Sequence, residues 1–149
     1  MTKQPIKVMR SAITTADQAA VFRLLAEGST WPDWSPISSL EELTHPSGDD
    51  HPEGVGSIRV FKSGPFRSHE EVVRVDEPDV FAYRLVKSRV LHVRDYEARV
   101  ELSPHAEGTT ITWTGSFRPL FPGSGWIWKR IIGNLYEQFV EGLASHAQA

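Results

Sequence analysis

The sequence predicts an α+β fold in which a curved antiparallel sheet closes around a long C-terminal helix. Three observations carry this. Residues 55–118 hold five strand-like segments separated only by short turns, and sequential short turns make an antiparallel meander. After a Pro/Gly break at 119–125, residues 126–147 carry apolar side chains at helical spacing. Between 95 and 102 the alternation is clean, with Asp95, Glu97, Arg99 and Glu101 on one side and Tyr96, Ala98, Val100 and Leu102 on the other, so one face of the sheet is apolar.

The elements follow in order. Residues 6–13 read as a strand with Ile6, Val8 and Arg10 on one face. Thr15-Ala16-Asp17-Gln18 fits the capping-box pattern, so Thr15 is expected to cap a helix over 16–27, with Asp17 favourable in its first turn. Val21, Leu24 and Leu25 form its apolar stripe, and Gly28 is a natural residue just past its end. Trp31-Pro32-Asp33-Trp34-Ser35-Pro36 carries two prolines, which allow one short turn bearing two tryptophans prone to exposure. Residues 38–44 read as a further strand and 45–54 as a polar loop. The meander strands are expected at 55–62, 67–75, 80–86, 91–102 and 109–118. Their turns carry Gly64-Pro65, Glu77-Pro78, Lys87-Ser88-Arg89 and Pro104 through Gly108. Ser124 stands where it can cap the last helix. The stripe of that helix is Trp128, Ile132, Leu135, Phe139 and Leu143, widened by Ile127, Ile131, Tyr136 and Val140.

Bulk properties exclude several classes. A chain of 149 residues suits one domain. Net charge is −3 with no basic stripe, so no nucleic-acid partner is expected. The absence of cysteine excludes disulfides and thiolate chemistry. No apolar run reaches the roughly 20 residues of a membrane span, and the first ten residues lack the apolar core of a signal peptide. A cytoplasmic monomer or homodimer without cofactor is the expectation. His45 and His51, with Asp49 and Asp50, lie in the polar loop without metal-ligand spacing, so no metal is expected.

Tight turns would place Lys62 opposite Arg67, Val75 opposite Val80, Val86 opposite Leu91 and Leu102 opposite Ile111. Opposite residues share a face. Propagated, these pairings put Ser57, Arg59, Phe61, Glu70, Val72, Phe81, Tyr83, Leu85, His92, Arg94, Tyr96, Trp113 and Phe117 on the face toward the helix, with Arg59 opposite Glu70 and Tyr83 opposite Arg94. The other face carries Ile58, Val60, Val73, Val75 and Val80, to be covered by a second subunit unless the register differs there. Aromatic walls with a few polar points describe a binding pocket.

The order of these motifs resembles the polyketide cyclase/dehydrase-like branch of the START/Bet v 1 (SRPBCC) superfamily. The motifs are a strand, a short helix, Trp31-Pro32-Asp33-Trp34-Ser35-Pro36, Gly54-Val55-Gly56-Ser57-Ile58-Arg59, a glutamate one strand later, Glu77-Pro78, Gly108-Thr109-Thr110-Ile111-Thr112-Trp113 and a long final helix. The resemblance covers nearly the whole chain. It implies a helix-grip fold: seven antiparallel strands around the C-terminal helix, two short helices closing one end, and an internal ligand cavity. It implies binding of a lipid-, quinone- or polyketide-like molecule, and in a minority of members cyclisation or dehydration. It implies no shared metal.

The candidate site residues each have two readings. Arg59 and Glu70 either orient a ligand's polar group, with acid/base work possible, or form a self-satisfied ion pair. Tyr83, Arg94 and Tyr96 either polarise a ligand carbonyl or line the wall. His92 either acts as a base or is a bland strand-end residue. Phe61, Phe81, Trp113, Phe117, Ile132, Tyr136 and Phe139 are expected as apolar lining, and Trp31 and Trp34 as a gate. Gly133 and Gly142 mark close packing or open space on the helix. The leading function is binding of a small apolar or aromatic molecule. The alternatives are a cyclase or dehydratase using Arg59, Glu70, Tyr83 and Arg94, and a protein-interaction module.

Overall fold

The structure, a computed structural model, describes residues 4–45, 54–88 and 91–148. His51, Asp49, Asp50 and the turn residue Arg89 lie outside the described residues. Seven antiparallel strands form one sheet: β1 (Ile6–Thr14), β2 (Ser39–Thr44), β3 (Ile58–Ser63), β4 (Phe66–Asp76), β5 (Val80–Ser88), β6 (Val93–His105) and β7 (Gly108–Pro119). Their order is β1-β7-β6-β5-β4-β3-β2. The long helix α3 (Gly125–Gln148) packs across the sheet. Two short helices, α1 (Gln18–Ala26) and α2 (Trp31–Trp34), are joined by the 3₁₀ turn Gly28–Thr30.

The start of α1 differs from the capping-box expectation. Asp17 is the cap, its carboxylate accepting from Ala20 N at 2.8 Å. Thr15 N instead donates to Gln148 Oε1 at 3.2 Å, because β1 runs to Thr14 and the chain leaves the sheet beside the end of α3. Gln18 turns away to donate to Asp79 Oδ1 at 3.0 Å and Leu102 O at 3.2 Å. Aspartate ranks above threonine at this position, so the cap moves two residues on. Glu27 ends the helix and Gly28 begins the next turn. A Cβ at Gly28 would come within 3.1 Å of Arg59 Cδ, so this glycine makes room for the arginine.

The two tryptophans of α2 are buried, against the expectation of exposure. Trp31 Nε1 donates to Leu25 O at 3.0 Å, and Trp34 Nε1 to Thr30 Oγ1 at 3.2 Å. With their polar tips satisfied, both rings can enter the core. Gly142 accommodates this, since a Cβ there would overlap Trp34 O. Gly133 likewise faces Arg10 and Val8 closely. Both mark close packing rather than open space.

The registers of β3–β4 and β6–β7 follow the tight-turn expectation: Arg59 lies opposite Glu70, Lys62 opposite Arg67 and Leu102 opposite Ile111. Three expected pairings are corrected. A bulge between Val72 and Arg74 sets Val75 opposite Phe81 instead of Val80. Val75 therefore joins the inner face, half-buried against the core. Tyr83 lies opposite Ala98, not Arg94. Val86 does not meet Leu91, because the β5–β6 ladder stops at Arg84 and Glu97. Beyond that point β5 stays with β4 and the sheet splays open. On the outer face Val60 and Val80 are buried within the chain itself, Ile58 is half-buried and Val73 is exposed.

Candidate functional site

The splay between β5 and β6 opens a cleft of about 380 Å³ against α3. Leu85 and Leu91 line it from the sheet side, Ile37 and Phe66 from one rim, and Ile131, Leu135 and Phe139 from the helix. Its polar groups are Glu70, Tyr83 and Tyr96, with Asn134 and Gln138 of α3 and Ser63, Arg67, Ser68 and Ser88 of the strand ends. Apolar walls with few polar groups are what a small-molecule site requires.

Glu70 is the most unusual group here. It is buried, its Oε2 accepts from Ser68 Oγ at 3.4 Å, and its Oε1 has no hydrogen-bond partner among the described residues. Burial pushes its pKa up to about 7, against the opposing pull of the Arg59 charge. A carboxyl whose pKa is raised on folding stabilises the fold below its unfolded pKa, and that contribution is lost as pH rises through the folded value. The thermal midpoint of the wild type should therefore fall between about pH 4.5 and 7 relative to Glu70→Gln. The amide stands in for the protonated acid, and the difference should be on the order of 2–3 kcal/mol. A pH-independent difference between the two melting curves would show that the carboxyl is not buried as described.

Three buried tyrosines, Tyr83, Tyr96 and Tyr136, lie near enough to Glu70 to feel its charge. Tyr96 and Tyr136 share a hydroxyl–hydroxyl hydrogen bond of 2.5 Å, which ties β6 to α3. Burial pushes the pKa of Tyr83, Tyr96 and Tyr136 well up, so all three stay neutral. Tyr136 reaches β7 at Gly115, where a Cβ would overlap its hydroxyl.

Arg59 does not line the cleft. It is fully buried, with its guanidinium donating to Leu25 O at 3.1 Å and Ala26 O at 3.5 Å. It sits over Trp31 at 4.9 Å, Phe61 at 5.2 Å and Phe81 at 4.9 Å. It thus holds the C-terminal carbonyls of α1, where a cation is favoured, inside an aromatic cage.

Of the expected site residues, the fold brings Glu70, Tyr83, Tyr96 and Phe139 to the cleft. Phe61, Phe81, Trp113, Phe117 and Ile132 pack the core instead. Trp31 and Trp34 are not a gate. The Trp31 ring lies 5.1 Å from Phe61, 5.7 Å from Trp113 and 5.8 Å from Phe139, filling the middle of the sheet–helix space. His92 and Arg94 are exposed. The cause is a bulge between Arg94 and Glu97, with Asp95 at φ 53°, that sets Arg94 opposite Arg118 on the outer face. His92 packs its ring on Phe121 and Trp128, 5.7 Å from each. Phe66, Leu91, Asn134, Leu135 and Gln138 were not expected in the site. The helix members could be found from the i, i+3, i+4, i+7 spacing of Ile131, Asn134, Leu135 and Gln138.

Residues 5–148 match the family described as polyketide cyclase/dehydrase and lipid transport. A comparison with curated proteins gave no match. Among solved structures, a protein from Thermobifida fusca is similar at 23% identity and TM-score 0.78, covering 95% of this chain and 92% of that one. A START superfamily protein from Mycobacterium smegmatis is similar at 14% identity and TM-score 0.77, covering 95% and 96%. Ara h 8.0201 is similar at 12% identity and TM-score 0.76, covering 97% and 98%. With this sheet, this helix and this match along nearly its whole length, the chain belongs to the polyketide cyclase/dehydrase and lipid transport family, on the START/Bet v 1 helix-grip fold.

Proposed function

We propose that the protein binds one small apolar or aromatic molecule, lipid-, quinone- or polyketide-like, in the cleft between α3 and the splayed ends of β5 and β6. The observation that carries this reading is an apolar cleft lined by a buried carboxyl, Glu70, whose Oε1 has no hydrogen-bond partner among the described residues. A buried polar atom without a partner is costly, and a ligand hydroxyl or enol would satisfy it. Leu135→Trp fills the cleft from the helix side, where Leu135 is half-buried. Native mass spectrometry should find a retained apolar molecule on the wild type, and binding in Leu135→Trp weakened by about tenfold or more, equivalent to about 1.4 kcal/mol, at an unchanged melting temperature. A wild type that takes up no member of a broad panel of alcohols, phenols and quinones would overturn the proposal.

One observation favours cyclase or dehydratase chemistry as the second reading. A carboxyl with its pKa near 7 is matched to proton transfer at neutral pH. Arg94 takes no part in this version, since it lies on the outer face, and Arg59 acts only through its charge. Once a substrate is in hand, unchanged turnover in Glu70→Gln would exclude the reading.

A further inference from the structure

Around the start of α3 the fold leaves five large apolar side chains in solvent: Leu120, Phe121, Trp126, Ile127 and Ile131. Trp126 is 68% exposed. Clustered exposure of this kind marks an interaction surface. The charges around it are one-sided. From Arg118 to Tyr136 the chain holds Arg118, Lys129 and Arg130 and no acidic residue. Arg94, paired with Arg118 on the neighbouring strand, and His92, which precedes that strand and packs on Phe121, are also exposed. Asp95 lies 3.6 Å from Arg118 and offsets one of these charges. Exposed indole and phenyl rings among basic side chains are the chemistry of the lipid headgroup region.

We propose that this patch docks the protein onto the surface of an anionic lipid bilayer. Phe121 and Trp126 enter the headgroup–acyl boundary while Lys129 and Arg130 meet anionic headgroups. A second copy of the chain fits the patch less well, because a two-fold pairing would bring the same cations face to face. No helix among the described residues is long and apolar enough to cross a membrane, so the contact is interfacial. Ile131 belongs both to the patch and to the rim of the cleft. Docking would then set the cleft mouth at the bilayer, a consequence that rests on the ligand-binding reading, whereas docking itself does not.

Co-sedimentation with two vesicle types tests this: phosphatidylcholine alone, and phosphatidylcholine mixed with phosphatidylglycerol. The protein should partition onto the mixed vesicles and be released as salt is raised. Lys129→Gln and Arg130→Gln should each cost about fivefold in partitioning, and Trp126→Ala about tenfold. Bromolipid in the mixed vesicles should quench Trp126 fluorescence, and the quenching should disappear in Trp126→Ala. All three positions are on the surface, so unchanged melting curves establish that the variants fold. No binding to mixed vesicles, or binding indifferent to all three substitutions, overturns docking. So does a patch-dependent dimer in sedimentation velocity, which would name a second copy as the occupant. Retained cleft ligand in a protein that ignores vesicles would sink docking alone and leave the ligand-binding reading standing.

Discussion

Trp31→Ala should cost the fold about 4 kcal/mol, the range for removing a large aromatic from a packed core. The side chain is fully buried, and its ring touches those of Trp34, Phe61, Tyr83, Trp113 and Phe139. These neighbours come from β3, β5, β7, α2 and α3, so no single element can move in to close the void. At this chain length the loss corresponds to roughly 10 °C in melting temperature. The void would adjoin the cleft, with Tyr83 and Phe139 as shared walls. An apolar cavity of this kind stays dry and admits small aromatic molecules. Benzene or indole should therefore raise the melting temperature of Trp31→Ala by more than that of the wild type, since the variant offers the new void in addition to the cleft. A variant that melts like the wild type would mean that the indole is not the central packing element.

Arg59→Ala should cost about 3 kcal/mol. The substitution removes the hydrogen bond to Leu25 O at the end of α1 and three cation–ring contacts. Arg59→Lys should recover only part of this, since an ammonium keeps the charge but not the planar donor fork that fits between rings and carbonyls. A second readout separates charge from packing. The Arg59 charge opposes the burial effect at Glu70, so Arg59→Ala should push the Glu70 titration further up and Arg59→Lys should restore it. Carboxyl carbon shifts followed by NMR across pH 5 to 9 would measure both. An unmoved Glu70 titration in Arg59→Ala would show that the two groups are electrically independent. Urea midpoints give the stability loss directly.

Much of the fold was legible because hydrophobic alternation is strong in β6 and β7 and helical spacing is strong in α3. The inner face from Tyr96 to Leu102 and from Ile111 to Phe117 follows from parity alone. What alternation could not show were the places where the chain gains a residue. The bulges after Val72 and at Asp95 each reverse the sidedness of everything beyond them, which carried Val75 inward and Arg94 outward. Neither has a glycine to announce it. The site was legible in part for a related reason. Glu70 and Tyr83 lie in stretches where the expected pairings hold facewise, so their orientation was accessible. Leu91 reaches the cleft where β5 and β6 part company, and Phe66 from the tip of the β3–β4 hairpin, and no local pattern encodes the end of a ladder or what a hairpin tip will meet. The burial of Trp31 and Trp34 depends on Leu25 O and Thr30 Oγ1, which lie close in sequence but form no recognisable motif, and on the missing side chain at Gly142, which is far along the chain.

The pairing of β1 with β7 has a consequence for biosynthesis. Ile6 meets Phe117, and Thr14 Oγ1 donates to Ala144 O at 2.9 Å. Of the seven strands β1 is made first, and it waits for the last of them, β7, before it has a partner. At roughly 5–20 residues per second, that wait is several seconds, during which the apolar face of β1 is bare. Contacts this distant along the chain also slow the final closure. The meander from β2 to β6 needs only neighbours already made and can assemble as it emerges. The nascent chain thus carries β1 unpaired until β7 has emerged, and this is the interval in which a strand-capturing chaperone, or another nascent copy, has access to it.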